Sequence, residues 1–251
     1  MRLPWPITEN DVKTRKRYNG DKTMKGGSFE ALFEAIVDDD RGQARHLLKR
    51  EPTLSTELFK KPRLELRVPH WIYAKDSPLH VAAAGHRVEI AKLLLAAGAD
   101  PNSALNHRRS RPLHYAADGY IVSDTWNEKN QVAMIRLLLK AGAEINAQDK
   151  NGATALHRAV RTRCAAAVKC LLDAGADTTI NNKPGSTPFH LAVQNTGRGG
   201  RGADIARSAQ REIIQLFLAR GISPKVKDEN GKSVVDWARS DWIREMLGCA
   251  G

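Results

Sequence analysis

The sequence predicts an all-α solenoid of helix–turn–helix units carrying short β-hairpin fingers. Three observations predict it. A four-residue segment recurs as Ser77-Pro78-Leu79-His80, Arg111-Pro112-Leu113-His114, Thr154-Ala155-Leu156-His157 and Thr187-Pro188-Phe189-His190. Each copy runs through an alanine-rich stretch into an apolar segment ending at Gly98, Gly142, Gly175 or Gly221. The second motif position falls at residues 78, 112, 155 and 188, so the period is near 33, with about 10 extra residues in the second copy and 13 in the fourth. A fixed period of this size marks units that cannot bury their apolar faces alone and must stack.

Taken in chain order, residues 1–27 are polar and basic, with Lys13, Arg15, Lys16, Arg17, Lys22 and Lys25, and are expected to form a flexible tail. Residues 28–76 are expected to form an N-terminal capping repeat. Phe29 to Arg50 predicts two short helices, and Leu58 to Lys75 predicts an extended hairpin because RLELRV alternates apolar and polar residues. Four repeats follow over 77–230. Ser77, Thr154 and Thr187 suit the N-cap of each first helix, and Pro78, Pro112 and Pro188 suit its first turn. The alanines keep that helix thin. In the second helix, VEIAKLLL and its counterparts place apolar residues at i, i+3 and i+4, and the closing glycine fits a left-handed C′ position. Insertions are expected at 118–130 and 195–210, between the two helices of the second and fourth repeats. Residues 231–251 predict a truncated C-terminal capping unit in which Asp236 replaces the motif histidine.

On these residues the chain strongly resembles the ankyrin-repeat family, whose repeat of 33 residues carries a TPLHxA core. The glycine two residues before the motif Thr is present as Gly152, Gly185 and Gly231, but is Lys75 and Arg109 in the first two repeats. The first two fingers are therefore expected to be less regular. The resemblance implies that the recurring histidines hydrogen-bond within and between repeats. It also implies a non-catalytic module, acting as adaptor, scaffold or inhibitor, that binds a partner protein on its concave face. Carried over position by position, the finger-tip contacts are His107, Arg108, Arg109, Ser110, Lys150, Asn151, Lys183 and Ser186. The first-helix contacts are Tyr115, Asp118, Arg158, Arg161 and Gln194.

The insertions suggest an accessory edge bearing Tyr120, Trp126, Arg198 and Arg201; the alternative for Trp126 is that it folds back onto the scaffold. Trp71 and Tyr73 either line the end of the groove or cover the end of the core. Arginine and lysine dominate the contact set, and the chain carries a net charge of +12, so an acidic protein surface is the expected partner. A nucleic-acid binder using the basic groove and tail is the alternative, although aromatic residues do not interleave with the basic ones in a stacking pattern.

Other chemistries find no support in the residues. Gly197, Gly199 and Gly202 spell GxGxxG, but the motif follows a helix instead of a strand. No HExxH or CxxC spacing occurs, so no catalytic residue, metal or cofactor is expected. Cys164, Cys170 and Cys249 are too few for a disulfide framework. No apolar run approaches the roughly 20 residues of a membrane span. The opening MRLPWPITEN lacks a secretory leader. A cytoplasmic monomer is expected, with a signal-independent route of export left open.

Overall fold

The computed structural model describes residues 27–65, 67–68, 70–119, 126–194 and 204–248. Most of the expected basic tail, together with Tyr120, Arg198, Arg201 and Cys249, lies outside the described residues. An N-terminal helix pair, α1 (Ser28–Val37) and α2 (Arg41–Arg50), leads through a short 3-10 turn to two strands, β1 (Arg63–Glu65) and β2 (His70–Ile72). Four further helix pairs follow: α3 (Pro78–Ala84) with α4 (Val88–Ala96), α5 (Pro112–Ala117) with α6 (Glu128–Lys140), α7 (Ala155–Arg161) with α8 (Ala165–Asp173), and α9 (Pro188–Ala192) with α10 (Asp204–Leu218). The short helices α11 (Val234–Trp237) and α12 (Asp241–Met246) end the stack. The first helices pack in one row and the second helices in another, each against its counterpart in the neighbouring unit.

The motif explains why the first helix starts where it does. Its N-cap backbone N–H is accepted by Nδ1 of the histidine three residues on, at 3.1 Å for Ser77 and His80, 3.1 Å for Arg111 and His114, and 3.2 Å for Thr154 and His157. Histidine thus takes the place of Glu or Gln in a capping box. The opposite nitrogen donates to the next finger: His80 to the Ser110 carbonyl (3.0 Å), His114 to Ala153 (3.0 Å), His157 to Ser186 (3.1 Å) and His190 to Lys232 (3.1 Å). One neutral ring therefore caps its own helix and clasps the next unit. The structural role expected for the histidines is present at all four.

The apolar stripe of each second helix faces the first row. Leu94, Leu138, Leu171 and Phe217, each four residues before the closing glycine, are fully buried. In the fourth repeat two phenylalanines occupy the leucine sites, and Phe189 and Phe217 stack at 4.8 Å. The closing glycines adopt φ of +94° at Gly98, +88° at Gly142, +86° at Gly175 and +72° at Gly221, which is the left-handed C′ geometry.

The link between the two helices differs among repeats. In the first and third it is a tight turn through a left-handed residue, His86 (φ 52°) or Arg163 (φ 62°). The second and fourth carry insertions, and there a glutamine on the second helix reaches back to the end of the first. Gln131 donates to the carbonyls of Ala116 (3.2 Å) and Ala117 (3.3 Å), and Gln210 to Ala192 (2.7 Å) and Gln194 (2.9 Å). Both glutamines are buried, and together they satisfy carbonyls that have no intrahelical partner.

Candidate functional site

The fingers form a backbone ladder. Lys150 N–H donates to the Arg108 carbonyl (2.7 Å), Lys183 N–H to Asn151 (2.8 Å) and Glu229 N–H to Gly185 (3.0 Å). Each finger is folded by one Asn or Asp at its base. Asn106 Oδ1 accepts from Arg108 and Ser110, Asp149 Oδ1 from Asn151 and Ala153, Asn182 Oδ1 from Ser186, and Asp228 Oδ1 from Asn230 and Lys232. The second finger keeps this turn without glycine. Arg109 sits at φ 52°, where Gly152, Gly185 and Gly231 have φ of 71°, 85° and 74°. The expected irregularity is thus a strained residue in the standard backbone path. Lys75 also takes a positive φ of 70°, but its N–H is diverted to the Phe59 carbonyl at 2.7 Å, tying the first finger to the preceding extension.

Behind the fingers lies a buried ion cluster centred on Arg158, which is 2% exposed. Its guanidinium donates to Asp118 Oδ2 (2.8 Å), Asp149 Oδ2 (2.7 Å) and Ser110 Oγ (2.7 Å). Burial alone would raise the pKa of both aspartates, but the Arg158 charge outweighs it and holds Asp118 well below the usual carboxylate range, with Asp149 lowered as well. Burial works against the Arg158 charge too, and its two carboxylates more than offset it. The other oxygen of Asp118, buried and without a hydrogen bond, faces Arg161 at 3.5 Å.

Asp118 also faces His70 Nε2 at 3.3 Å, and His70 packs on the Tyr115 ring at 4.1 Å. The strands pair antiparallel with Leu64 opposite Trp71. Arg63, at the open end of this hairpin, pairs with Glu30 (2.8 Å), and Arg67, in its turn, pairs with Glu34 (3.0 Å) and Asp38 (2.7 Å). The hairpin therefore lies along α1 and beside the C-terminal ends of α3 and α5, with its own Leu64, Val68 and Ile72 buried. Trp71 is half-buried in the strand. Half-buried Tyr73 extends past it to the fingers, 4.9 Å from the His107 ring and 5.3 Å beneath the Arg108 guanidinium.

The finger side is covered by the hairpin over the first units and open farther along. Between the third and fourth fingers lies a cleft of about 420 Å³, lined by Asn151, Asn182, Lys183 and Pro184 from the fingers and by His157, Arg158, Arg161 and Leu191 from α7 and α9. His107, Arg109, Lys150, Asn151, Arg161, Lys183 and Gln194 are exposed, and Arg108 is half-buried. Four expected contact residues are instead interior. Ser110 and Ser186 lie under the fingers, Arg158 is the centre of the ion cluster, and Tyr115 is 1% exposed with its hydroxyl donating to Asp76 Oδ2 at 2.8 Å. Tyr115 is therefore unavailable as an apolar anchor, because burial of the ring against His70 and His80 (5.0 Å) comes first. Asp118, 11% exposed at its side chain, belongs to the cluster too. Trp126 folds back, its indole donating to Gln131 Oε1 at 3.2 Å.

Reading positions from a single repeat missed Asp76, Asp149, His70 and Leu191. Asp149 was findable, since Asp-Lys-Asn-Gly is a turn signature with the aspartate as side-chain acceptor. Among the described residues, no group of three or more His, Cys, Asp or Glu is placed to hold a metal ion, and no helix is long and apolar enough to cross a membrane.

Comparisons with known proteins agree with this geometry. The family model for ankyrin repeats in three copies matches residues 125–228, and that for a single ankyrin repeat matches residues 75–106. An ankyrin repeat domain from Acinetobacter baumannii AYE, known from a crystal structure, superposes with a TM-score of 0.64 over 87% of this chain and 95% of that one, at 24% identity. Ankyrin repeats are generally protein–protein interaction modules and typically non-catalytic. Motif histidines, stacked helix pairs, laddered fingers and matched family models lead to one conclusion: the chain belongs to the ankyrin-repeat family.

Proposed function

We propose that the chain is a non-catalytic adaptor or inhibitor that holds an electronegative segment of another protein along the fingers and first helices of its second to fourth repeats, the concave side of the stack. The observation that carries this reading is the asymmetry of that surface. The chain's own hairpin covers the first helices of the leading units and pairs Glu30, Glu34 and Asp38 with only two arginines, Arg63 and Arg67, so this end keeps a surplus of negative charge. Beyond it the surface is open, and Arg109, Lys150, Arg161 and Lys183 are exposed there. A partner of opposite sign gains both in encounter rate and in specificity from such an arrangement.

The nucleic-acid alternative draws on the net charge of +12. Against it, aromatic rings near basic groups are already occupied, with Phe33 under Arg63, Tyr73 under Arg108 and Trp242 under Arg211. The test is affinity capture from the native host with and without nuclease, repeated with Arg161→Glu/Lys183→Glu and with Lys140→Glu on the second-helix side. A captured protein that survives nuclease, is lost with the double variant and is kept with Lys140→Glu supports the reading. Loss with nuclease, or equal capture by all variants, refutes it.

A further inference from the structure

The cleft between the third and fourth fingers combines tightly held anions with one loosely paired and one unpaired cation among the described residues. Both oxygens of Asp149 are taken, one by the N–H groups of Asn151 (2.8 Å) and Ala153 (3.0 Å), the other by Arg158 (2.7 Å). Arg158 is itself divided between Asp149 and Asp118. The charges that remain to face solvent are cationic. The Arg161 side chain is 47% exposed and reaches Asp118 only at 3.5 Å, longer than a charge-assisted hydrogen bond. Lys183 is exposed and makes no ion pair among the described residues. Leu191, half-buried, supplies an apolar wall.

We propose that this cleft is an anion subsite that takes the carboxylate or phosphate of one side chain of the partner protein, with Arg161 and Lys183 as its ligands and Leu191 packed against that side chain's stem. The proposal rests on the docking surface described above and names its recognition element. Turning Arg161 away from Asp118 breaks no direct hydrogen bond. An entering anion replaces Asp118 at a direct distance, while Asp118 keeps Arg158 at 2.8 Å. A neutral or cationic side chain loses water in the same place and gains no charge pair. A phosphate brings nearly two negative charges and three acceptor oxygens, a carboxylate one charge and two oxygens.

The experiment uses the full chain and backbone-amide NMR titration with capped pentapeptides Ala-Leu-Xaa-Leu-Ala, where Xaa is glutamate, phosphoserine or glutamine, and separately with inorganic phosphate. The expected result is saturable shifts at residues 150–162 and 182–192 with the glutamate or the phosphoserine peptide, at a Kd of roughly 1 mM or tighter. Whichever of the two binds better identifies the source of the anion. Arg161→Gln and Lys183→Gln, with unchanged melting temperatures, should each weaken it at least fivefold, and Lys140→Gln should not. Equal binding of the glutamine peptide, indifference to Arg161→Gln and Lys183→Gln, inorganic phosphate binding as tightly as the phosphopeptide, or no saturable shift overturns the proposal. Shifts elsewhere along the fingers, insensitive to both variants, sink the subsite and leave the docking surface standing. Shifts confined to the second helices sink both.

Discussion

Replacing Arg158 with methionine should destabilise the fold by about 3–5 kcal/mol at neutral pH, because it strands two buried carboxylates. Methionine fills most of the arginine stem's volume, so the loss is electrostatic more than steric. Asp118 and Asp149 both have lowered pKa values in the folded protein, with Arg158 the main lowering influence. A carboxylate with a lowered folded pKa contributes stability that is present above its unfolded pKa of about 3.9 and is lost as pH falls below it. Without Arg158 that contribution disappears and burial pushes both acids up instead. The deficit of the variant should therefore be largest near pH 7 and shrink as pH falls towards 4, where the stranded acids take up protons. Urea denaturation of both proteins at pH 7 and pH 4, comparing midpoints at equal slopes, measures this. Leu156→Ala, an apolar change on the same helix, serves as the pH-independent control. Adding Asp118→Asn and Asp149→Asn to the methionine variant should recover at least half of the loss. A deficit under about 1 kcal/mol, or one unchanged between the two pH values, refutes the reasoning that ion pairing dominates here.

Three further expectations are open to measurement. Burial lowers His86 and His157 to a pKa of about 4 and His114 to about 3, whereas unfolded histidine titrates near about 6.5. The stability each contributes is complete above that value and falls as pH drops towards 4, by roughly 3 kcal/mol per buried ring; His157→Gln should flatten the slope of urea stability against pH over this window. Arg109→Gly should raise stability by about 0.5–1 kcal/mol, because glycine relieves the left-handed strain at φ 52°, and an unchanged or lower urea midpoint would show that the strain is not there. Tyr115→Phe should cost about 1–3 kcal/mol by leaving Asp76 short of one partner, and wild-type stability in thermal and urea melts would show that the 2.8 Å contact is not maintained in solution.

Periodicity made the scaffold legible. The motif positions, the buried apolar residue four before each closing glycine and the hairpin signalled by the alternation at residues 63–68 all follow from spacing alone. The candidate site was legible only where a side chain's fate is decided within its own repeat. His107, Lys150 and Lys183 sit at turn tips and are exposed for local reasons. Arg158 and Tyr115 occupy positions that are open in an isolated unit. Here their fate is set by Asp118, forty residues upstream of Arg158, and by a hairpin inserted before the first repeat. Such partners meet only after stacking, and no window of one repeat contains them. Arg109 shows the converse. The missing glycine was visible, but its effect on the finger was misjudged, because the neighbouring ladder and the Asn106 side chain hold the turn whatever residue occupies it.

The glutamine caps have a consequence for how this chain can change. In the first and third repeats the left-handed turn fixes the distance between the helices, so an added residue there would break a helix end. In the second and fourth, Gln131 and Gln210 close the first helix from the far side of the gap. The carbonyls at that helix end are then satisfied from the second helix. Grafting segments of differing length at those two gaps is therefore expected to leave the register of the stack intact. A library of inserted loops at 120–125 or 195–203, built on the parent chain, should tolerate length changes with little loss in melting temperature as long as both glutamines are kept. The same grafts beside Gln131→Ala or Gln210→Ala should not be tolerated.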